Sequence, residues 1–517
     1  MAKLSRFSRR RFLTLSAAAA AAAASVRQRP ARAEPKRGGR LRVGLAHGST
    51  TDVLDPAKCD NGFTQTLGYA LFNGLTEAGP DGELVPSLAD SWEPSADAKT
   101  WHFKLRKGVT FQNGKPLVPE DVIISLNRHR GRDSSSGAKG IVSSIQDIKA
   151  EGPDVVVFTL DSANADFPFI LSDFHLGILP AKDGAVDPAS SIGTGSYRLI
   201  EFEPGVRALL KRSPSHWRSD RGYFDEVELL SVLDAAARTN ALVADEIDVM
   251  NSCDLQSIGE LKANLHIVVD QTSGTQHYCF AMQTDQEPFK DVNVRLALKY
   301  AIDRKELVDK ILGGYGYEGN DHPIGRSNRF FAKDLEPRSY DPDRAAYHLH
   351  KAGLNSLSVG LSAADAAFGG AVEAASLYVE RAKKAGIDIT VIREPNDGYW
   401  SNVWLKKPWA ASYWGGRPTE DWMFTTAYAA GVPWNETHWS NARFNELLVK
   451  ARGELDEAKR RQMYGEMQRL VRDDGGALIP MFASYVFARS DKVAHPERIA
   501  ADWELDGLRF FERWWFA

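Results

Sequence analysis

The stretch Trp-Gly-Gly-Arg-Pro-Thr-Glu-Asp-Trp, residues 414–422, gathers residue types that can hold a small molecule. Arg417 offers a planar fork of donors that matches a carboxylate or phosphate. Gly415 and Gly416 let main chain approach a ligand closely. Trp414 supplies a flat apolar face, and Tyr413 and Trp400 are further candidates beside it. Glu420 and Asp421 follow a turn later, and Asp421 is expected to meet an amine. Either acid could instead pair with Arg417 at the surface, an arrangement worth ~0–1 kcal/mol. Seven of the 13 tryptophans, Trp400, Trp404, Trp409, Trp414, Trp422, Trp434 and Trp439, fall within forty residues. Ligand clefts are commonly lined by aromatics with few polar groups. Most of these indoles are still expected in cores.

Motifs of enzyme chemistry are absent or spoiled. There is no HExxH and no GxSxG. Gly108–Pro116, GVTFQNGKP, has one residue too many between its glycines for a phosphate loop, and Pro116 replaces the hydroxyl that would meet magnesium. His348 and His350 would point to different faces of a helix. No catalytic residue, metal or cofactor is expected, although an unusual enzyme on the same scaffold stays open.

At 517 residues, the chain is long enough for two to four domains. Hydrophobic content of 43% and charged content of 26% are those of a soluble globular protein. The first 33 residues differ: eight Lys or Arg, no acid, an Ala-rich apolar run and Ala-Arg-Ala before Glu34. That order reads as a secretory signal peptide, cleaved after Ala33. Ser8-Arg9-Arg10-Arg11-Phe12-Leu13 gives it the twin-arginine form. Cleavage would leave 56 Lys and Arg against 68 Asp and Glu, so the formal charge would move from −4 to −12. An acidic, exported, unanchored chain argues against nucleic acid and anionic lipid as partners. A periplasmic monomer is expected. Cys59, Cys253 and Cys279 leave at least one thiol unpaired. Either Cys253 joins Cys279, or all three are small buried thiols.

The elements that must position these residues alternate between strand and helix. Gly38–Leu45 reads as a strand. Trp101, Phe103 and Leu105 alternate with polar residues, and Lys107-Gly108 turns into a second strand, Val109–Phe111. Pro119–Arg130 reads as a helix with acids in its first turn. Tyr197–Ser213 is a hairpin bent at Glu203-Pro204-Gly205. Asp291–Leu312 carries one long helical period, ended by Gly313-Gly314. Asp341–Gly353 is a helix with Asp cap, Pro in the first turn and terminal Gly. A late helix ends at Gly475-Gly476, and Ala477–Ala488 reads as strands. The class is α/β with mixed sheets.

Several segments together resemble the extracytoplasmic solute-binding proteins of ABC importers, in the group that takes peptides, nickel and opines. They are Asp55-Pro56; Gly82 to Trp92; Trp101 to Phe111 with Asn113-Gly114; Glu120-Asp121-Val122; Gly193-Thr194-Gly195-Ser196-Tyr197; Pro288-Phe289 through Asp303-Arg304; and Tyr340-Asp341-Pro342. They occur in family order over nearly the whole chain. The resemblance implies a periplasmic binding protein-like fold of the large class II type: two hinged lobes and a third domain. By analogy, lobe I takes 34–79, 189–276 and 490–517, the extra domain 80–188, and lobe II 277–489. It implies that ligand stabilises a closed state which inner-membrane permease subunits read.

In peptide-binding relatives a W-x-x-D segment offers its aspartate to the peptide amine. Here Arg417 stands at that position, which inverts the charge. That suits a peptide or amino-acid-derived solute with an exposed acid group; an opine, a glutathione-like conjugate or an oligosaccharide is the alternative. Ser49 and Thr50, in the loop after the first strand, are expected to rim the cleft from the other lobe.

Overall fold

The computed structural model describes residues 35–517. The expected signal peptide and its expected cleavage after Ala33 lie outside the described residues.

Two long antiparallel strands, Ile267–Met282 and Ala477–Ser490, form the spine. Around them the described residues build an 11-stranded mixed sheet. On one side the order runs outward through Val249–Met250, Arg40–Leu45 and Glu226–Ser231 to the Arg207–Arg212 and Tyr197–Glu203 hairpin. On the other it runs through Trp409–Trp414 and Leu357–Ala363 to Ile387–Arg393. Each side has its own core. Leu41, Val43, Phe63, Tyr197 and Phe487 anchor the first. Phe280, Leu298, Leu361, Tyr378 and Trp409 anchor the second. The spine is thus shared by two lobes.

Its register breaks between them. Ser273 pairs with Ser484 and His277 with Phe482, so Gly274, Thr275 and Gln276 stand opposite Ala483 alone. A bulge of this kind bends and twists a strand locally. A separate four-stranded antiparallel sheet, in the order Ala89–Pro94, Thr100–Leu105, Val155–Leu160, Ile145–Glu151, covers a third core. Trp101, Phe103 and Leu105 face into it with every second residue outward, as the alternation predicts.

Three expectations need correction. Val109–Phe111 is not a strand. The turn at Asn113-Gly114 brings Lys115 O back to accept from Phe111 N at 2.8 Å, leaving room for only one bridge, Thr110 to Pro116. The long central helix is two, Val292–Tyr300 and Arg304–Ile311. The Asp303 side chain accepts from Glu306 N and caps the second helix, which ends the first. Cys253 and Cys279 are not bridged. All three cysteines are free and buried, with Cys253 and Cys279 in different cores. Burial pushes the Cys59 and Cys253 thiols up to about 12, which makes them poor nucleophiles.

Candidate functional site

The strand Trp409–Trp414 pairs antiparallel with the spine, setting Tyr413 opposite Tyr278 and Trp414 opposite His277. Directly opposed residues share a face, so Tyr278 and Tyr413 emerge together. The chain then leaves the sheet through Gly415, Gly416, Arg417 and Pro418. Thr419 caps the helix Glu420–Ala427 by accepting from Trp422 N at 3.2 Å.

This turn sits against the spine's bulge. A Cβ on Gly416 would lie 1.6 Å from Thr275 Oγ1 and 2.8 Å from its Cβ. A Cβ on Gly415 would meet only Arg417 Nη1, at 3.9 Å. Gly416→Ala is therefore expected to destabilise the protein by about 1–3 kcal/mol through overpacking. Gly415→Ala should change it by less than about 0.5 kcal/mol. Urea unfolding of both variants separates them, and equal effects would disprove this packing argument.

Beside the turn lies a pocket of about 470 Å³ lined by Trp400, Trp404, Tyr413, Trp414, Gly415, Arg417 and Trp434. Its rings meet at steep angles. Trp400 stands 5.7 Å from Trp404 at 76° and 5.5 Å from Tyr413 at 69°. Trp434 stands 6.2 Å from both Trp404 and Trp414. Trp400, Tyr413 and Trp434 are 39%, 42% and 49% exposed, so the walls are open to solvent. Underneath, Glu436 is buried and locks the floor. Trp414 Nε1 donates to its Oε1 at 2.8 Å and Trp404 Nε1 to its Oε2 at 2.6 Å, while Cys279 Sγ donates to Oε1 at 3.2 Å.

Among the described residues, Arg417 donates only to the carbonyls of Gly415 and Gly416, at 3.2 and 3.1 Å. It makes no ion pair with either acid downstream. Burial, uncompensated by any anion, lowers its pKa. Glu420 points elsewhere and accepts from Phe330 N at 2.7 Å. Asp421, expected to meet a ligand amine, is instead gripped by Arg452 Nε at 3.0 and 3.1 Å and does not line the pocket. Ser49 and Thr50 do not line it either. Ser49 is held in a local turn by Asp52 Oδ2, and Thr50 packs on Gly205 of the hairpin.

A second pocket, about 170 Å³, lies at the spine between the lobes, with Gln276, Tyr278, Ser484, Tyr485 and Glu504 in its wall. Glu504 accepts from Asn251 Nδ2 at 2.5 Å and Ser252 Oγ at 3.2 Å, and lies 3.2 Å from His47 Nε2. The Tyr278–Tyr413 pair links the two pockets, since each contributes one ring.

Sequence reasoning missed Trp404, Trp434 and Glu436. The tryptophan density pointed to the first two. Nothing marked Glu436, because its role depends on two indoles 22 and 32 residues away.

Glu420, outside the pocket, gives the fold a pH signature. Burial pushes its carboxyl from 4.5 up to about 7. A raised folded value means the contribution is full below about pH 4.5 and is lost as pH rises through 7. Glu420→Gln, which keeps an acceptor for Phe330 N, should lack this slope. Relative to the parent it should gain about 2–3 kcal/mol between pH 4.5 and pH 8. Parallel pH profiles in urea unfolding would disprove it.

A family model, "Bacterial extracellular solute-binding proteins, family 5 Middle", matches residues 83–436. The chain belongs to this family. It is 24% identical over 484 residues to the periplasmic oligopeptide-binding protein OppA of Escherichia coli, covering 86% of this chain and 87% of that one. It is 23% identical over 481 residues to the glutathione-binding protein GsiB of Pectobacterium atrosepticum, covering 87% and 90%. A solved structure of the periplasmic binding protein DppA from Helicobacter pylori, in complex with the peptide STSA, superposes with a TM-score of 0.71 at 22% identity, over 93% of this chain and 98% of that one. The two-lobed fold with its third domain is therefore the family's.

Proposed function

We propose that this protein is the periplasmic solute-binding component of an ABC importer, and that it captures a peptide or amino-acid-derived solute by its carboxylate. The observation that carries this is Arg417, a cation without an ion pair among the described residues, at the edge of an aromatic pocket. A guanidinium so placed gains most from a bidentate anion. Relatives named for oligopeptides and glutathione support the same class of solute.

In this reading, lobe I takes residues 34–79, 189–276 and 490–517, the extra domain 80–188, and lobe II 277–489. The chain is exported by a twin-arginine signal cleaved after Ala33 and works as a monomer with its permease. Ligand contacts made only when the lobes close shift the population toward the closed state. No bond is made or broken.

Mass spectrometry of the small molecule released when periplasm-derived protein is denatured tests the proposal. A carboxylate-bearing amino-acid conjugate or peptide is the expected result. A neutral sugar or a metal complex would overturn it.

A further inference from the structure

We propose that the aromatic pocket takes an N-methylated, quaternary ammonium group, so that the solute is a zwitterion with a trialkylammonium at one end and its carboxylate on Arg417. This rests on the carboxylate reading above and adds the chemistry of the other end.

The first observation is the shape of the walls. Trp400, Trp404, Trp414 and Trp434, with Tyr413, line one pocket, and neighbouring ring planes meet at 56–76°. Ring faces carry negative potential, and a cation within ~6 Å of a centroid is attracted to them. The second observation is the charge behind them. Glu436 is 5% exposed, and its partners among the described residues are two indoles and a thiol, with no cation. Three donors and no acceptor face its oxygens. A buried carboxylate without a counter-ion is costly. A ligand cation over the indoles bonded to it supplies that counter-charge through the rings.

The third observation decides which cation. A primary ammonium carries three N–H donors that need acceptors once buried. The side chains lining the pocket hold one acceptor, the Tyr413 hydroxyl, and no carboxylate. Glu436 lies behind the indoles, Asp421 is held by Arg452, and Glu504 across the spine is held by Asn251, Ser252 and His47. The indole N–H groups of Trp404 and Trp414 are themselves committed to Glu436. A quaternary ammonium has no N–H to satisfy and presents apolar methyls to the rings. It carries its charge at the lowest desolvation cost here.

The test is titration calorimetry on full-length mature protein, freed of bound solute, with ω-trimethylammonium carboxylates of one to five methylenes, each beside its primary-amine counterpart. At least one trimethylated acid should bind tenfold or more tighter than its counterpart. Trp434→Leu, at a half-exposed wall, should reduce that ratio below threefold without changing the melting temperature, and Trp400→Leu repeats the test at an independent wall. Primary amines that bind as tightly, or a full trimethylated series that does not bind, would overturn the inference. In either case, loss of dipeptide affinity in Arg417→Ala would leave the carboxylate reading standing. Conversely, a trimethylammonium preference that survives Arg417→Ala at undiminished affinity would sustain the cage and sink the role of Arg417.

Discussion

Arg417→Ala should weaken a carboxylate-bearing solute by about two to three orders of magnitude, the usual cost of truncating one partner of a desolvated charge pair. The fold should not change. The side chain's only hydrogen bonds are to the carbonyls of Gly415 and Gly416 in its own turn, and it joins no salt bridge among the described residues. Removing it strands no buried acid, since Asp421 is neutralised by Arg452 and Glu420 is satisfied by Phe330 N. The loss should therefore appear in affinity and not in melting. Arg417→Lys should recover part of it, because a lysine keeps the charge and loses the fork. Titration calorimetry of the three proteins with the solute released from the native protein gives the answer. An affinity unchanged within threefold in Arg417→Ala would remove the residue from the site.

Much of the scaffold could be read from the chain because local chemistry fixed it. The Asp341 cap, Pro342 and Gly353 delimit a helix that runs Pro342–Lys351. Glu203-Pro204-Gly205 bends the hairpin between Tyr197–Glu203 and Arg207–Arg212. Legibility failed where a local signal competed with another. The apolar period from Val294 to Ile311 predicts one helix, but Asp303 caps a second from within it. The candidate pocket was legible by residue type more than by geometry. Trp400, Tyr413, Trp414, Gly415 and Arg417 do line one pocket. Gly416, expected to give ligand access, instead makes room for Thr275 of the spine. Asp421 and the Ser49-Thr50 loop lie outside that pocket, against neighbours distant in sequence. Arg452 and Gly205 are 31 and about 155 residues away, and no spacing rule reports them.

The largest stability effect belongs to a residue that nothing in the sequence singled out. Glu77 is 1% exposed, on the short strand Thr76–Ala78, and four arginines converge on it. Arg218 lies 2.7 Å from Oε2 and Arg513 2.9 Å from Oε1, with Arg221 at 3.5 Å and Arg509 at 3.8 Å. Arg509 and Arg513 belong to the C-terminal tail, where Trp514 enters the first lobe's core beside Leu41 and Val43. The family resemblance assigned residues 490–517 to lobe I by analogy alone. The carboxylate that ties it down was invisible. Burial alone would raise the pKa of Glu77, yet the guanidiniums of Arg509, Arg513, Arg218 and Arg221 hold it well below 4.5.

Glu77→Ala would leave these cations with too little counter-charge. Glu512 still meets Arg509 at 3.1 Å and Asp506 still meets Arg513 at 3.0 Å, but Arg218 keeps no other carboxylate. Breaking a buried pair in this way costs about 3–5 kcal/mol, and urea unfolding at pH 7 should show that loss. Glu77→Gln should lose less, since it keeps one acceptor. A depressed folded value makes the contribution full above about pH 4.5 and drains it as pH falls further. The gap between parent and variant should therefore hold from pH 8 to pH 5 and narrow only in stronger acid. Limited proteolysis should cut the variant within 504–517 first, because two of the freed arginines lie there. A loss below about 1 kcal/mol at pH 7 would mean that Asp506 and Glu512 already balance the cluster, and that the aromatic tail alone holds the chain's end in place.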